Sequence, residues 1–148
     1  MKIDRFDADH RWLSNFWLVD VHMYGLVYPS VEHAYQAAKT LDLAAREEIR
    51  RANTPGIAKR MGQRVTLRED WADYRLMAMR GLLLRKFDPI QHTALAEKLL
   101  ATGQNTLIEG NYWGDTFWGV CRGVGENHLG RLLMEVRTLL EPVGAGRA

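Results

Sequence analysis

The stretch YPSVEHAYQAAK, residues 28–39, predicts an α-helix that begins directly after Ser30. Ser30 is a good N-cap because its hydroxyl can accept a hydrogen bond from a backbone N–H of the first turn. The residues that follow are strong helix formers and include no Gly or Pro. His33 stands where Glu completes a full capping box. This segment indicates a domain that is helical from its first third onward.

Outward from this helix, the sequence predicts one hairpin and five more helices. Short apolar runs separated by Tyr24-Gly25 indicate a β-hairpin before it. Caps and breakers place helices at 43–52, 56–62, about 70–87, about 93–101 and from Asn127 to Pro142; TLIE (106–109) is a candidate strand, and GAGRA (144–148) is an expected frayed tail. We therefore expect a mainly α fold of the α+β type, with a small N-terminal β element and no doubly wound sheet.

Apolar faces on two of these helices predict where the core lies. The face of the 70–87 helix consists of Trp71, Tyr74, Leu76, Met77, Met79, Leu82 and Leu83. The face of the last helix consists of Leu129, Leu132, Leu133, Val136, Leu139 and Leu140. We expect both faces to be buried.

The composition is that of an ordinary globular protein. The 148 residues are 47% hydrophobic and 26% charged, with a net charge of +2. This balance suits a small anionic substrate and does not by itself indicate a nucleic-acid binder. Cys121 is the single cysteine, so we expect no internal disulfide and a reducing compartment. The scattered histidines predict no metal site, and the lack of a signal peptide or membrane span predicts a cytoplasmic protein.

Three polar side chains of the 28–39 segment share one face of the predicted helix. At spacings of four and three residues, they are Glu32, Gln36 and Lys39. The opposite side carries an aliphatic stripe of Ala34, Ala38 and Leu41. Such a face is commonly solvated and structural. A functional face is the alternative, because it combines an acid, an amide and an amine beside the Tyr35 ring.

The stretch EGNYWGDTFWG, residues 109–119, combines rings, glycines and carboxylates. We expect Tyr112 and Phe117 in the core, whereas the indoles of Trp113 and Trp118 offer stacking surfaces. Its unpaired polar groups and its glycines fit a core poorly and allow close approach of a ligand; these residues are Asn111, Asp115, Gly110, Gly114 and Gly119. The stretch predicts a wall for a flat, polar, heteroaromatic group, with a buried strand-turn as the structural alternative.

Two further stretches allow both a structural and a functional interpretation. In WLSNFW (12–17), Ser14 and Asn15 form either a locally capped turn or polar contacts to a sugar or base. GVGENHLGR (123–131) opens the last helix with glycines, so its free N–H groups and Arg131 could meet a phosphate. An ordinary N-cap at Asn127 is the alternative for this second stretch.

Four segments together resemble the YbiA-like, or NADAR, family of N-glycosidases: LSNFW (13–17), YPSVEHAYQAAK (28–39), EGNYWGDTFWG (109–119) and GENHLGRLLMEVR (125–137). The resemblance implies a single YbiA-like domain over residues 1–148, with its core at about 12–140. It implies an N-glycosyl hydrolase without a cofactor. The implied substrates are the phosphoribosylamino-pyrimidine intermediates of riboflavin biosynthesis or, alternatively, ADP-ribose on guanine in DNA or RNA.

The resemblance also suggests roles for individual residues. Breaking a ribose C–N bond develops positive charge at the anomeric carbon and requires a proton for the departing nitrogen. Glu32 and Asp115 are the candidate carboxylates, with the acid and base roles open between them. Lys39 is a candidate to form a Schiff base with a ring-opened sugar. Substrate contacts are predicted for Ser14, Asn15, Phe16, Tyr35, Gln36, Asn111, Trp113, Trp118, Gly119, Asn127 and Arg131.

Other classes of protein remain as alternatives. A non-catalytic module that binds ADP-ribose or a nucleotide would need the rings and the phosphate loop, but not Glu32 and Lys39. A plain nucleic-acid binder would use a basic patch interrupted by Glu47 and Glu48; its members would be Arg46, Arg50, Arg51, Lys59, Arg60 and Arg64. The expected partner is a small phosphorylated ribosyl substrate or, in the alternative, an ADP-ribosylated nucleic acid. We expect no association with a membrane, and the oligomeric state is open.

Overall fold

The structure, a computed structural model, describes residues 1–142 of the chain. Its elements are β1 (Lys2–Ile3), a 3-10 helix (Ala8–Leu13), β2 (Val21–Met23), β3 (Leu26–Tyr28), α1 (Val31–Ala38), α2 (Leu43–Arg50), α3 (Pro55–Gly62), α4 (Trp71–Lys86), α5 (Thr93–Ala101), β4 (Thr106–Leu107), β5 (Gly110–Asn111), β6 (Val120–Cys121) and α6 (His128–Leu140). The predicted mainly α class is confirmed. The described chain divides into two compact units, residues 13–86 and residues 1–12 with those from 87 onward. The tail predicted at 144–148 lies outside the described residues.

The hairpin of the 13–86 unit forms where the sequence predicts it. β2 and β3 pair antiparallel, with Val21 opposite Tyr28 and Met23 opposite Leu26. The two turn residues, Tyr24 and Gly25, have φ angles of 53° and 78°. Positive φ at both central positions matches the right-handed twist of the two strands, so the turn sets the register.

Helix α1 lies in the core of this unit. Ser30 caps it as predicted, since Oγ accepts the His33 N–H at 3.1 Å. All eight residues of the helix are buried, and α2, α3 and α4 all contact it. A helix enclosed on every side has no solvated face. The predicted aliphatic stripe is wrong at Leu41, which follows the helix and is 64% exposed.

Two of the three remaining helices of this unit begin at recognisable N-caps. Asp42 caps α2 through Oδ1, and Thr54 caps α3 ahead of Pro55. Helix α4 buries only part of its predicted apolar face, because the apolar run at 76–79 encircles the helix. Leu76 and Met77 are 37% and 67% exposed, so burial was wrongly predicted for them.

The other unit joins short strands to two helices. β1 pairs in parallel with β4, and β5 pairs in parallel with β6; the small β elements therefore extend beyond the N-terminal hairpin. Leu133 of α6 is fully buried, as predicted, whereas Leu139 is 57% exposed because it lies off the buried face. Among residues 1–142, no helix combines the length and apolar character needed to cross a bilayer.

Candidate functional site

Glu32 and Gln36 lie together, buried on α1. Glu32 is 8% exposed and Gln36 is 4% exposed. Gln36 Nε2 donates a hydrogen bond of 3.0 Å to Glu32 Oε2. A buried carboxylate needs such bonds, because desolvation penalises its charge. The expectation of a solvated face is wrong, and the buried acid–amide pair favours the functional interpretation of this helix.

The amide oxygen of Gln36 is left without a hydrogen-bond partner among residues 1–142. Oε1 is buried and accepts no hydrogen bond from the described part of the chain. It lies against Gly62 of α3, where a Cβ would overlap Oε1 and Cδ of Gln36. Residue 62 must therefore be small for the amide to fit. A buried acceptor without a donor suits a ligand hydroxyl or N–H group.

Lys39 forms the C-cap of α1, next to this pair. Burial lowers the pKa of Lys39; Glu32 opposes the shift, and the charge of Lys59 adds to it. The Lys39 Nζ atom lies 5.7 Å from the centre of the Tyr35 ring, which packs against Trp71 with centroids 5.2 Å apart. A lowered pKa increases the neutral fraction of the amine, which is the nucleophilic form.

An open cavity lies beyond the end of α1. Its volume is about 560 Å³, and it is lined by residues 40–42 and 66–70. Arg68 N–H donates to the Lys39 carbonyl at 2.7 Å, which joins the cavity wall to the helix end. None of the substrate-contact residues predicted from the sequence lines this cavity.

The 13–17 segment contacts the start of α1. Ser14 Oγ accepts the Phe16 N–H at 3.1 Å, which confirms the predicted turn. Glu32 N–H donates to the Asn15 carbonyl at 3.1 Å. Asn15 Oδ1 is buried without a partner within residues 1–142, while Phe16 is 42% exposed. Asn15 is thus brought next to Glu32 and presents a second unused acceptor.

Lys86 of α4 is a buried basic residue that the sequence analysis missed. Its side chain is fully buried, and Nζ donates to the Ser14 carbonyl at 2.8 Å. Burial lowers its pKa to about 7. The sequence could have indicated this burial. Lys86 follows Leu83, Leu82 and Met79 by three, four and seven residues, and that spacing places it on the same, buried face of the helix.

The pH dependence of stability should report this buried amine. With a folded-state pKa of about 7 against 10.5 for the ordinary amine, the unfolded chain binds more protons at intermediate pH. The unfolding free energy therefore rises with pH above about 7. Below about pH 7 the amine is protonated in both the folded and the unfolded chain, so it adds no further pH dependence. Between about pH 7 and 9, the wild type should gain about 2 kcal/mol relative to Lys86→Met. Urea denaturation at both pH values measures the difference; parallel pH profiles would contradict the shifted pKa.

In the other unit, Asn111 and Asp115 build the frame of the 109–119 loop. The Asn111 amide binds both backbone groups of Asp115: Oδ1 accepts its N–H at 3.0 Å, and Nδ2 donates to its carbonyl at 2.8 Å. Asp115 Oδ1 accepts the N–H groups of Phe117 and Trp118 at 3.1 and 2.9 Å. These contacts give both polar side chains structural partners.

The rings and glycines of the loop differ in their exposure. Tyr112 is 83% exposed and Trp113 is 53% exposed, so the core position predicted for Tyr112 is wrong; its ring packs on Trp113 instead of on the core. Phe117 and Trp118 are half-buried. At Gly119, a Cβ would overlap Glu109 and Asn111, so this glycine permits close approach of the chain to itself.

Three amides at the start of α6 are bonded to the preceding loop. The N–H groups of Asn127, His128 and Leu129 donate to the carbonyls of Gly119, Phe117 and Trp118. These three N–H groups, expected to be free, are therefore already used. The alternative side-chain N-cap is also wrong: Asn127 has a φ of 55° and makes no such bond. Its side chain instead binds Glu109 N–H and the Leu107 carbonyl, while Arg131 is exposed.

Substitution of Asp115 should separate a structural from a catalytic role. Asp115→Asn keeps an oxygen that can accept from Phe117 and Trp118, whereas Asp115→Ala removes it. We expect Ala to destabilise by about 1–3 kcal/mol and Asn to retain most of the activity. Thermal unfolding and turnover of both variants measure this. A thousandfold loss of turnover in a stable Asn variant would instead place the Asp115 charge in the chemistry.

Comparison with known proteins identifies the family to which this chain belongs. The NADAR domain model matches residues 3–141, and the chain belongs to the NADAR family. It is 41% identical over 138 residues to the N-glycosidase YbiA of Escherichia coli K12, covering 89% of this chain and 82% of that protein. The NMR structure of E. coli YbiA matches with a TM-score of 0.82 and 38% identity, covering 95% of this chain and 83% of the other.

Two further relatives extend the comparison. The N-glycosidase Npun_R5314 of Nostoc punctiforme is 39% identical over 130 residues, covering 84% of this chain and 81% of that protein. The riboflavin biosynthesis protein VVA0006 of Vibrio vulnificus is 40% identical over 138 residues, covering 91% of this chain. The chain spans only 37% of the Vibrio protein. The family resemblance and the predicted enzyme class, an N-glycosyl hydrolase, are confirmed; the residue roles stay predictions.

Proposed function

We propose that this chain hydrolyses the ribose C–N bond of phosphoribosylamino-pyrimidine intermediates of riboflavin biosynthesis. The observation that carries the proposal is the row on α1, where a buried carboxylate, its amide partner and an amine of lowered pKa follow one another at Glu32, Gln36 and Lys39. The name of the Vibrio relative supports the substrate class.

In this mechanism the charge of Glu32 stabilises the positive charge that develops at the anomeric carbon and orients water toward it. Gln36 Nε2 holds the carboxylate through its hydrogen bond. The acceptors Gln36 Oε1 and Asn15 Oδ1 accept hydrogen bonds from hydroxyl groups of the sugar. Water adds to the anomeric carbon as the C–N bond breaks, and the proton that the water loses passes to the departing nitrogen, which leaves as the free amine.

Lys39 adds a covalent route to the same products. A ribosylamine opens to an imine, and the neutral Lys39 amine adds to its carbon. Proton transfer then releases the aminopyrimidine as the lysine imine forms. Water hydrolyses this imine, which frees the ribose phosphate and restores the amine. The lowered pKa of Lys39, caused first by burial, supports this route because it favours the neutral nucleophile.

The exposed rings of Tyr112 and Trp113 favour a second candidate substrate, ADP-ribose attached to guanine in DNA or RNA. Exposed rings can stack on the bases of a single strand. The basic patch predicted for such a ligand is weakened, since Arg50 and Arg51 both pair with Glu47, at 2.6 and 2.8 Å. We therefore rank this substrate second.

Side-by-side hydrolysis of the two substrates tests the function. The purified protein is incubated with a phosphoribosylamino-pyrimidine and with an ADP-ribosylated guanine oligonucleotide, and released ribose 5-phosphate or ADP-ribose is measured. Faster turnover of the pyrimidine supports the proposal. Turnover of the oligonucleotide alone supports the second candidate. Binding of ADP-ribose without any product would support a non-catalytic module.

A further inference from the structure

Helix α4 holds the 13–17 segment at two consecutive residues. Lys86 Nζ donates to the Ser14 carbonyl, which also accepts the Trp17 N–H at 3.1 Å. Met79, two turns earlier on the same face, contacts the next side chain, with 3.6 Å between its Sδ and Asn15 Nδ2. The segment is therefore fixed to α4 through both its backbone and the side chain of Asn15.

The same segment is fixed to α1 through Asn15. Its carbonyl accepts the Glu32 N–H, so Asn15 joins the α4 contacts to the first turn of α1. With Nδ2 directed at Met79 Sδ, the amide orientation is set, and Oδ1 is left buried without a donor from the described residues. Within residues 1–142, this atom is an unused acceptor on the residue whose backbone carbonyl binds the Glu32 N–H.

A lysine is an unfavourable choice for the position that makes this contact. Lys86 is fully buried, and a buried amine is harder to accommodate than an apolar side chain of similar length. Stability alone therefore favours Met at this position. A hydrogen-bond donor at this position supplies the bond to the Ser14 carbonyl, which Met cannot make.

We propose that Lys86 is a positioning residue: through the Ser14 carbonyl it fixes Asn15, whose Oδ1 accepts a hydrogen bond from a sugar hydroxyl next to Glu32. The identity of the ligand rests on the proposed function. The positioning of Asn15 by Lys86 is a property of the protein without substrate, so the two parts are tested separately.

Hydrogen–deuterium exchange tests the positioning without substrate. In Lys86→Met, the amides of Trp17 and Glu32 should exchange about tenfold faster. Their acceptors, the carbonyls of Ser14 and Asn15, lie in the turn that Lys86 no longer holds. Lys86→Gln, which keeps a donor, should retain slower exchange than Met. Arg85→Met is the matched control, since Arg85 also donates from α4 to a backbone carbonyl, that of His22. Unchanged exchange in Lys86→Met, or equal acceleration in the control, would overturn the positioning role.

A double-mutant cycle tests the link to the ligand. Lys86→Met and Asn15→Ala should each lower kcat/KM by about tenfold. The kcat/KM of the double variant should be about that of the less active single variant, because both substitutions remove the same contact. Losses that multiply would overturn the proposal, as would full activity of Lys86→Met. If the wild type turns over neither substrate, the proposed function fails, and the exchange experiment still decides the positioning role.

Discussion

Replacing Glu32 with Gln should lower kcat by about a thousandfold, within the range for loss of a catalytic acid or base. Gln has the same shape, and its amide oxygen can still accept from Gln36 Nε2, so the buried packing of α1 is kept. What is lost is the negative charge beside the developing cation. Released ribose 5-phosphate measures turnover, and thermal unfolding should shift by no more than about a few degrees.

Glu47→Gln is the matched control for this substitution. It makes the same chemical change on α2, where Glu47 pairs with Arg50 and Arg51 at the surface, and turnover should stay at the wild-type level. Full activity of Glu32→Gln would remove Glu32 from the mechanism. A loss of turnover that follows a loss of folded protein would make its role structural.

Lys39→Arg has the second largest expected effect. Arg keeps a positive charge at the end of α1, but it cannot form an imine with the sugar. On the covalent route, turnover should fall by about a thousandfold or more, and borohydride should no longer trap substrate on the protein. In the wild type, the trapped mass should lie on the peptide that contains Lys39, as mass spectrometry can establish.

Lys59→Arg provides the control for the trapping experiment. Lys59 lies close enough to affect the pKa of Lys39, so it is a neighbouring amine on which a nonspecific adduct could be trapped. The wild-type adduct should persist in Lys59→Arg and disappear in Lys39→Arg. If Lys39→Arg keeps most of its turnover, the positive charge is sufficient, the imine route is excluded, and direct attack of water remains.

The helix boundaries could be predicted because their signals are local. Ser30 and Thr54 cap the helices that they precede, through bonds to N–H groups three residues later. The hairpin turn at Tyr24 and Gly25 likewise depends on its own residues. The i,i+4 spacing also placed Gln36 beside Glu32 correctly, as their hydrogen bond shows.

The environment of those residues could not be predicted in the same way. The polar row on α1 resembles a solvated face in sequence, and only the surrounding helices bury it. Asn127 resembles an N-cap, but its amide binds backbone groups 18 and 20 residues away. In both cases the sequence gives the hydrogen-bonding capacity of the side chain, while its partner comes from elsewhere.

The amino-acid sequence thus determined the family, the helical class and which side chains share a helix face, because each of these depends on residue identity and short spacings. The tertiary structure alone decided which of these groups are buried, which retain an unused acceptor and which amines have a lowered pKa. The physical reason is distance along the chain. Lys86 meets Ser14 across 72 residues and Met79 meets Asn15 across 64, and such remote partners decide whether a side chain is buried.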